Sequence, residues 1–130
     1  MSQQEIEIIL ARQLSEYLTL AIFIVDPEGN LVYYNDPAEE ILGVRFEETG
    51  PLPASKWSTI FSPIDQMDRP LEPENLPLMI ALLRQRPAHS AFWIHSLDGT
   101  RRKIEVTAFP LTVQANRFLG AIAIFWEPTE

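Results

Sequence analysis

Apolar residues recur at spacings of three and four in residues 3–18, at Ile6, Ile9, Leu10, Leu14, Tyr17 and Leu18, with Glu5, Glu7, Arg12, Gln13 and Glu16 on the other side. That period predicts an amphipathic helix. Too short to persist alone in water, it needs its stripe laid on the domain or on a second copy of itself. The pattern changes over residues 20–26, LAIFIVD, a β-branched and aromatic run that predicts a strand. Pro27-Glu28-Gly29-Asn30 supplies a reversal, and residues 31–35, LVYYN, predict a second strand. Asp36 then caps a short helix with Pro37 at its first position and Glu39 three residues on; Asn35 is the rival cap, and Gly43 stands where a left-handed C-terminal residue belongs.

Residues 44–73 are punctuated by prolines between short apolar pieces around Trp57, Ile60, Phe61, Ile64 and Met67. One-turn helices on a meandering connection are expected there. A longer helix follows from about Asn75 to Arg86, tolerating Pro77 in its first turn and ended by Pro87, with Leu76, Met79, Ile80 and Leu83 on its apolar side. The last third predicts three long strands: HSAFWIHSL runs to an Asp98-Gly99 turn, RRKIEVTAFPLTV returns, and RFLGAIAIFWE closes the chain after Gln114-Ala115-Asn116. Ile104, Val106 and Ala108 alternate with Lys103, Glu105 and Thr107, the mark of a strand with one wet face.

With 130 residues, 46% of them apolar and 22% charged, the chain has the size and make-up of one globular domain with one core. Eighteen acidic against ten basic residues leave a net charge of -8, which disfavours nucleic acid and anionic membrane surfaces as partners. The basic run Arg101-Arg102-Lys103 sits beside a turn and is best read as a solvated face. No signal-peptide pattern and no apolar stretch of membrane-spanning length is present, so the expected location is the cytoplasm. The absence of cysteine excludes disulfides, thiolate chemistry and thiol-ligated metal centres.

The ordered set of Asp26 through Gly29 at the first turn, Asn35 entering the small helix, EEILG ending it, RPLEPENLPLMIALL as the long helix, Asp98-Gly99 in the hairpin and a final FWEPTE resembles a PAS domain over residues 19 to 129. The resemblance implies an α+β fold, a five-stranded antiparallel sheet with short helices on one face enclosing a pocket, preceded here by the amphipathic helix of residues 1–18 as a cap or dimerisation element. Domain boundaries on this reading are 1–18 for that helix and 19–130 for the PAS domain. It further implies a sensory, non-enzymatic module acting on a separate or fused effector such as a kinase, cyclase or regulator.

Flavin photosensors of this family and its photoactive-yellow-protein class both require a cysteine, so neither chemistry is available. Haem-binding members usually take a histidine from the long helix; residues 75–86 hold none, which disfavours haem. His89 and His95, six apart on a strand, lie about 20 Å from one another and cannot share a metal ion. Asp65 and Asp68 suit turns and caps better than a catalytic pair. No glycine-rich phosphate loop exists. Any cofactor is therefore unassigned.

The first and last strands are apolar on both faces, so both faces need cover. By analogy with the family, Phe23, Val25, Val32 and Tyr34 point into the pocket, joined by Phe92, Ile94, Ala121, Ala123 and Phe125, with Tyr34 as the hydrogen-bonding group. The alternative is that these side chains fill a solid core. The opposite face, Ile22, Ile24, Trp93, Ile122, Ile124 and Trp126, is expected to take the stripe Ile6, Ile9, Leu10, Leu14 and Tyr17, in one chain or across a homodimer. Glu127-Pro128-Thr129 stands where the family commonly has Asp-x-Thr, which makes Glu127 and Thr129 the expected signal exit; Pro128 argues against direct helical continuation. The expected function is a sensory module that binds a small apolar or aromatic ligand or a protein partner; alternatives are a ligand-free adaptor with a filled core and, more remotely, a small α+β isomerase or hydrolase.

Overall fold

The computed structural model describes residues 20–114 and 117–128. Five strands, β1 (Ala21–Val25), β2 (Leu31–Tyr34), β3 (Ala88–His95), β4 (Arg101–Val113) and β5 (Arg117–Trp126), form one antiparallel sheet in the order β2-β1-β5-β4-β3. The two strands without polar alternation, β1 and β5, lie side by side inside the sheet, each flanked by a strand on either side. Between β2 and β3 come four short helices, α1 (Asp36–Leu42), α2 (Phe46–Thr49), α3 (Ala54–Trp57) and α4 (Pro77–Arg84), with a one-turn 3₁₀ segment at Pro73–Asn75. The amphipathic segment of residues 1–18, with Ile6, Ile9, Leu10, Leu14 and Tyr17, lies outside the described residues, as does Thr129.

The alternation in β4 is realised as expected. Ile104, Val106 and Ala108 are buried, while Lys103 is exposed and Glu105 and Thr107 are half-buried. Pro110 would interrupt a strand paired on both sides, yet β4 accepts it. Its pairing with β3 stops at Ala108, so Pro110 meets only Ala121 of β5 and the missing N–H falls on a free edge. The outer edges of the sheet are blunted by loops. Ile64 exchanges two backbone hydrogen bonds with Trp93 on β3, each 2.9 Å, and the Leu31 amide of β2 donates to the Leu52 carbonyl. Both devices cover backbone that would otherwise template a foreign strand.

Helix α1 is capped by Asn35, not Asp36: the Asn35 Oδ1 accepts from the Ala38 amide and Gly43 ends the helix at φ 77°. Glu39 does not close a capping box; its Oε2 accepts from the Phe46 amide at 2.8 Å and anchors the start of α2. Helix α4 also departs from expectation. It starts at Pro77 and ends where Gln85 turns left-handed at φ 52°, and its buried residues are Pro77, Leu78, Met79, Ala81 and Leu82, leaving Leu83 67% exposed. The sequence offers two apolar stripes at helical spacing. The one containing Ala81 is the side chosen, because a methyl side chain lets the helix approach the sheet closely.

Candidate functional site

The inner face of the sheet and the helices do not pack into a filled core. A cavity of about 90 Å³, open to solvent, remains between them. From the sheet come Phe23 on β1, Phe92 and Ile94 on β3, Ile104 and Val106 on β4, and Ala123 and Phe125 on β5; the opposite wall is Leu42, Trp57, Ser58, Phe61, Pro63 and the Leu76 to Leu78 entry of α4. Ala123 is what leaves the room. It sits on the central strand, opposite Phe23 on one side and Ala108 on the other.

Five of the residues expected in the pocket therefore line it: Phe23, Phe92, Ile94, Ala123 and Phe125. Val25, Tyr34 and Ala121 lie on the same face, buried in the core beyond the cavity. Val32 is on the other face, packed against the cluster of Ile22, Ile24 and Ile122. A β-bulge explains this reversal: Ile24 pairs with Tyr33 but Val25 pairs with Leu31, so Leu31 and Tyr34, three apart, both point inward and Val32 is turned out.

Tyr34 does not supply the cavity's hydrogen bond either. Its hydroxyl donates to the Val44 carbonyl at 2.9 Å and lies 3.5 Å from Thr49 Oγ1, tying the α1–α2 connection to the sheet. Burial pushes its phenol above the usual value. Its ring stacks on Phe23, at 5.8 Å and 2° between planes, and Trp57 meets Phe23 edge-on at 5.8 Å. Trp57 in turn donates its Nε1–H to the Gly29 carbonyl at 2.8 Å, which pins α3 over the β1–β2 turn. The wall from Trp57 to Pro63 was hidden in the sequence by its prolines, although Trp57 and Phe61 are four apart; Ile104 and Val106 were legible through their alternation.

On the outer face, Ile22, Ile24 and Ile122 are buried, with Val32, Tyr33, Phe109, Leu111 and Ile124 partly buried around them. Trp93 and Trp126 do not join this cluster. Trp93 is on the far edge strand beneath the Arg101 guanidinium, 4.6 Å from its ring centre; Trp126 donates to Glu105 Oε2 at 3.2 Å and neighbours His89. His89 bonds Thr107 Oγ1 at 2.7 Å, and no group of three metal-ligating side chains occurs among the described residues.

Beyond β5, Glu127 is held by Arg102, whose Nη1 lies 3.1 Å from Glu127 Oε1. The same guanidinium reaches Asp98 at 3.2 Å and donates from Nε to Ser96 Oγ at 3.1 Å, while the Ser96 hydroxyl donates to the Ile41 carbonyl of α1. The Thr100 backbone N–H, above all, and Arg102 hold the Asp98 carboxyl below its ordinary value. One arginine thus connects the chain after the last strand, the β3–β4 turn and the helix that supplies Leu42 to the cavity.

The family model described as the PAS fold matches residues 15–130. Among solved structures, a PAS domain from Colwellia psychrerythraea is 17% identical with a TM-score of 0.64, over 95% of this chain and 98% of that one. The PAS domain of BvgS from Bordetella pertussis is 15% identical with a TM-score of 0.63, over 95% and 87%. A LOV protein from Rhodobacter sphaeroides is 14% identical with a TM-score of 0.68, over 97% and 68%. No curated protein matches the sequence. With a family model covering nearly the whole chain and the five-stranded sheet in place, this protein belongs to the PAS-fold family of sensory and signalling modules.

Proposed function

We propose that the domain senses a small apolar ligand in the cavity behind its sheet and passes the change to a partner through β5 and Glu127. The observation that carries this is the cavity itself: about 90 Å³ bounded by apolar side chains, with Ala123 and Phe125 of the exit strand in its wall. A solid-core adaptor would not need the space left at Ala123. An engineered apolar cavity of about 150 Å³ takes up benzene, so this cavity matches a ligand smaller than that, far below a flavin or haem. We assign no catalytic step, because the lining offers aliphatic and aromatic surface with one hydroxyl and no charged group.

Ala123→Leu is expected to fill the cavity and abolish ligand uptake while costing no more than about 1 to 3 kcal/mol in stability. Native mass spectrometry or ligand titration followed by NMR measures the first effect and urea denaturation the second. Undiminished binding in this variant would overturn the proposed site.

The proposed assembly is a cytoplasmic homodimer signalling to a separate or fused effector. It rests on the apolar outer face around Ile22, Ile24 and Ile122 and on the apolar stripe of residues 1–18, which precedes β1 in the sequence. Light scattering of the full chain at high micromolar concentration is expected to give twice the monomer mass, and removal of residues 1–18 to give monomer or aggregate. A monomeric full chain, with the truncated protein equally soluble and folded, would refute it.

A further inference from the structure

The sheet is not closed along the whole of β3. Ile64 bonds both the N–H and the C=O of Trp93, and the Phe61 carbonyl accepts from the His95 amide, so the backbone of Trp93 and His95 points away from β4. β3 pairs with β4 residue for residue from Ala88 to His95, without a bulge. Backbone groups alternate sides along a strand, so His89 and Ala91 present their N–H and C=O to the same outer edge as Trp93. Among the described residues nothing meets them there. The cover from Ile64 stops at Trp93, and Pro87, which has no N–H, marks the other end. Between the two, the edge lacks the usual protection: Ala88, Ser90 and Ala91 are small and uncharged, with no proline or bulge among them. The charge beside it is of one sign. Arg84 and Arg86, on the approach to Ala88, are exposed and make no ion pair among the described residues, a local reversal in a chain of net charge -8.

We propose that the open half of this edge, Ala88 to Ala91, takes an extended acidic segment of a protein partner as an added strand. Paired antiparallel, two residues of that segment exchange N–H and C=O bonds with His89 and Ala91, and its C-terminal end runs past Pro87 to Arg86 and Arg84, which receive its carboxylates. A few backbone bonds and exposed ion pairs make a weak, reversible contact, suited to signalling rather than to permanent assembly. The edge also adjoins the exit strand. His89 bonds Thr107 and lies 3.7 Å from Glu105, and Glu105 accepts from the indole of Trp126, the last residue of β5. Such a strand gives the signalling partner proposed above a place and a chemistry, whether or not the cavity is occupied.

Hydrogen exchange of the full-length protein, followed by NMR, checks the open edge: the amides of His89 and Ala91 are expected to exchange much faster than those of Ser90 and Phe92, which face β4. The probe for the partner is the peptide acetyl-Val-Thr-Val-Thr-Glu-Glu-amide. It is compared with the same peptide ending in Lys-Lys and with a copy N-methylated at its first four residues, which cannot donate to the edge. The acidic peptide is expected to shift the His89 and Ala91 amides with millimolar affinity, the Lys-Lys peptide to bind roughly two- to tenfold more weakly, and the methylated copy not to bind. Replacing both arginines, Arg84→Gln with Arg86→Gln, is expected to erase the preference for the acidic peptide. Absence of shifts at His89 and Ala91, binding of the methylated copy, or equal affinity of the acidic and basic peptides would overturn the proposal. Protection of the two amides in the free protein would overturn it as well, and if that protection fades on dilution, a second copy of this chain holds the edge instead.

Discussion

Asn35→Ala is expected to lower stability by about 1.5 to 5 kcal/mol, a large share of the roughly 5 to 15 kcal/mol that holds a domain together. The side chain is 1% exposed and makes three hydrogen bonds to other described residues. Its Oδ1 accepts from the Ala38 amide at 3.2 Å, capping α1, and from the Ile22 amide at 2.9 Å; its Nδ2 donates to the Leu20 carbonyl at 2.9 Å. Loss of an N-cap costs about 0.5 to 2 kcal/mol. Leaving the Ile22 amide buried without this acceptor adds about 1 to 3 kcal/mol. Asn35→Asp separates the contributions: the carboxylate still accepts both amides, but it cannot donate to Leu20 and brings a charge into a buried site. It should be less stable than the native protein yet retain the cap. Urea denaturation of the three proteins tests the order native, Asp, Ala; an alanine variant within 1 kcal/mol of native would show that the asparagine is not the tie between the start of β1 and α1.

The same residue shows where sequence reasoning stops. Asp36 and Asn35 both have the chemistry of a cap, and spacing to Pro37 and Glu39 favours the aspartate. What decides is tertiary: only the residue at 35 also reaches Leu20 and Ile22, 15 and 13 positions earlier. Element order, the hairpin at Asp98-Gly99 and the wet and dry faces of β4 were legible because each is a matter of local period or turn chemistry, whereas the inward side of Phe92 and Ile94 came only from the family resemblance. Val32 was misread because a single-residue bulge between Ile24 and Val25 reverses every facing beyond it, and neither strand carries a residue that announces it. The apolar side of α4 was legible only in part, with Leu76 and Met79 buried as expected but Leu83 exposed, because two stripes compete and the sheet, not the helix, chooses. The segment from Trp57 to Pro63 carries only the four-residue step from Trp57 to Phe61, too short a pattern among prolines to mark it, so its place in the cavity wall became visible only with α3 and the loop after it.

Gly120→Ala is the substitution expected to do most damage for its size, at least about 3 kcal/mol. Gly120 has φ 126°, a conformation L side chains rarely adopt, and residues forced into such regions cost about 1 to 3 kcal/mol. The larger penalty is steric. An added Cβ would lie 2.1 Å from the Val25 carbonyl oxygen and 3.1 Å from Asp26 Cα, so backbone rather than a flexible side chain would have to yield. Because β5 is held between β1 and β4, the strand cannot step aside without breaking the pairing of Val25 with Ala121. That displacement would open the central seam from the end nearest the β1–β2 turn and shift Ala123 against Phe23, which face each other across the same seam and both line the cavity. Gly50→Ala is the control. Its φ of 60° with ψ of -169° is also a backbone conformation that favours glycine, yet nothing lies within 4 Å of the added Cβ, so only the conformational cost of about 1 to 3 kcal/mol is expected, with no steric penalty on top. Thermal and urea denaturation of both variants should place Gly120→Ala well below Gly50→Ala, with hydrogen exchange accelerated first in β1 and β5. Equal losses in the two variants would mean that the seam relaxes around the methyl group and that the contact at Val25 does not govern it.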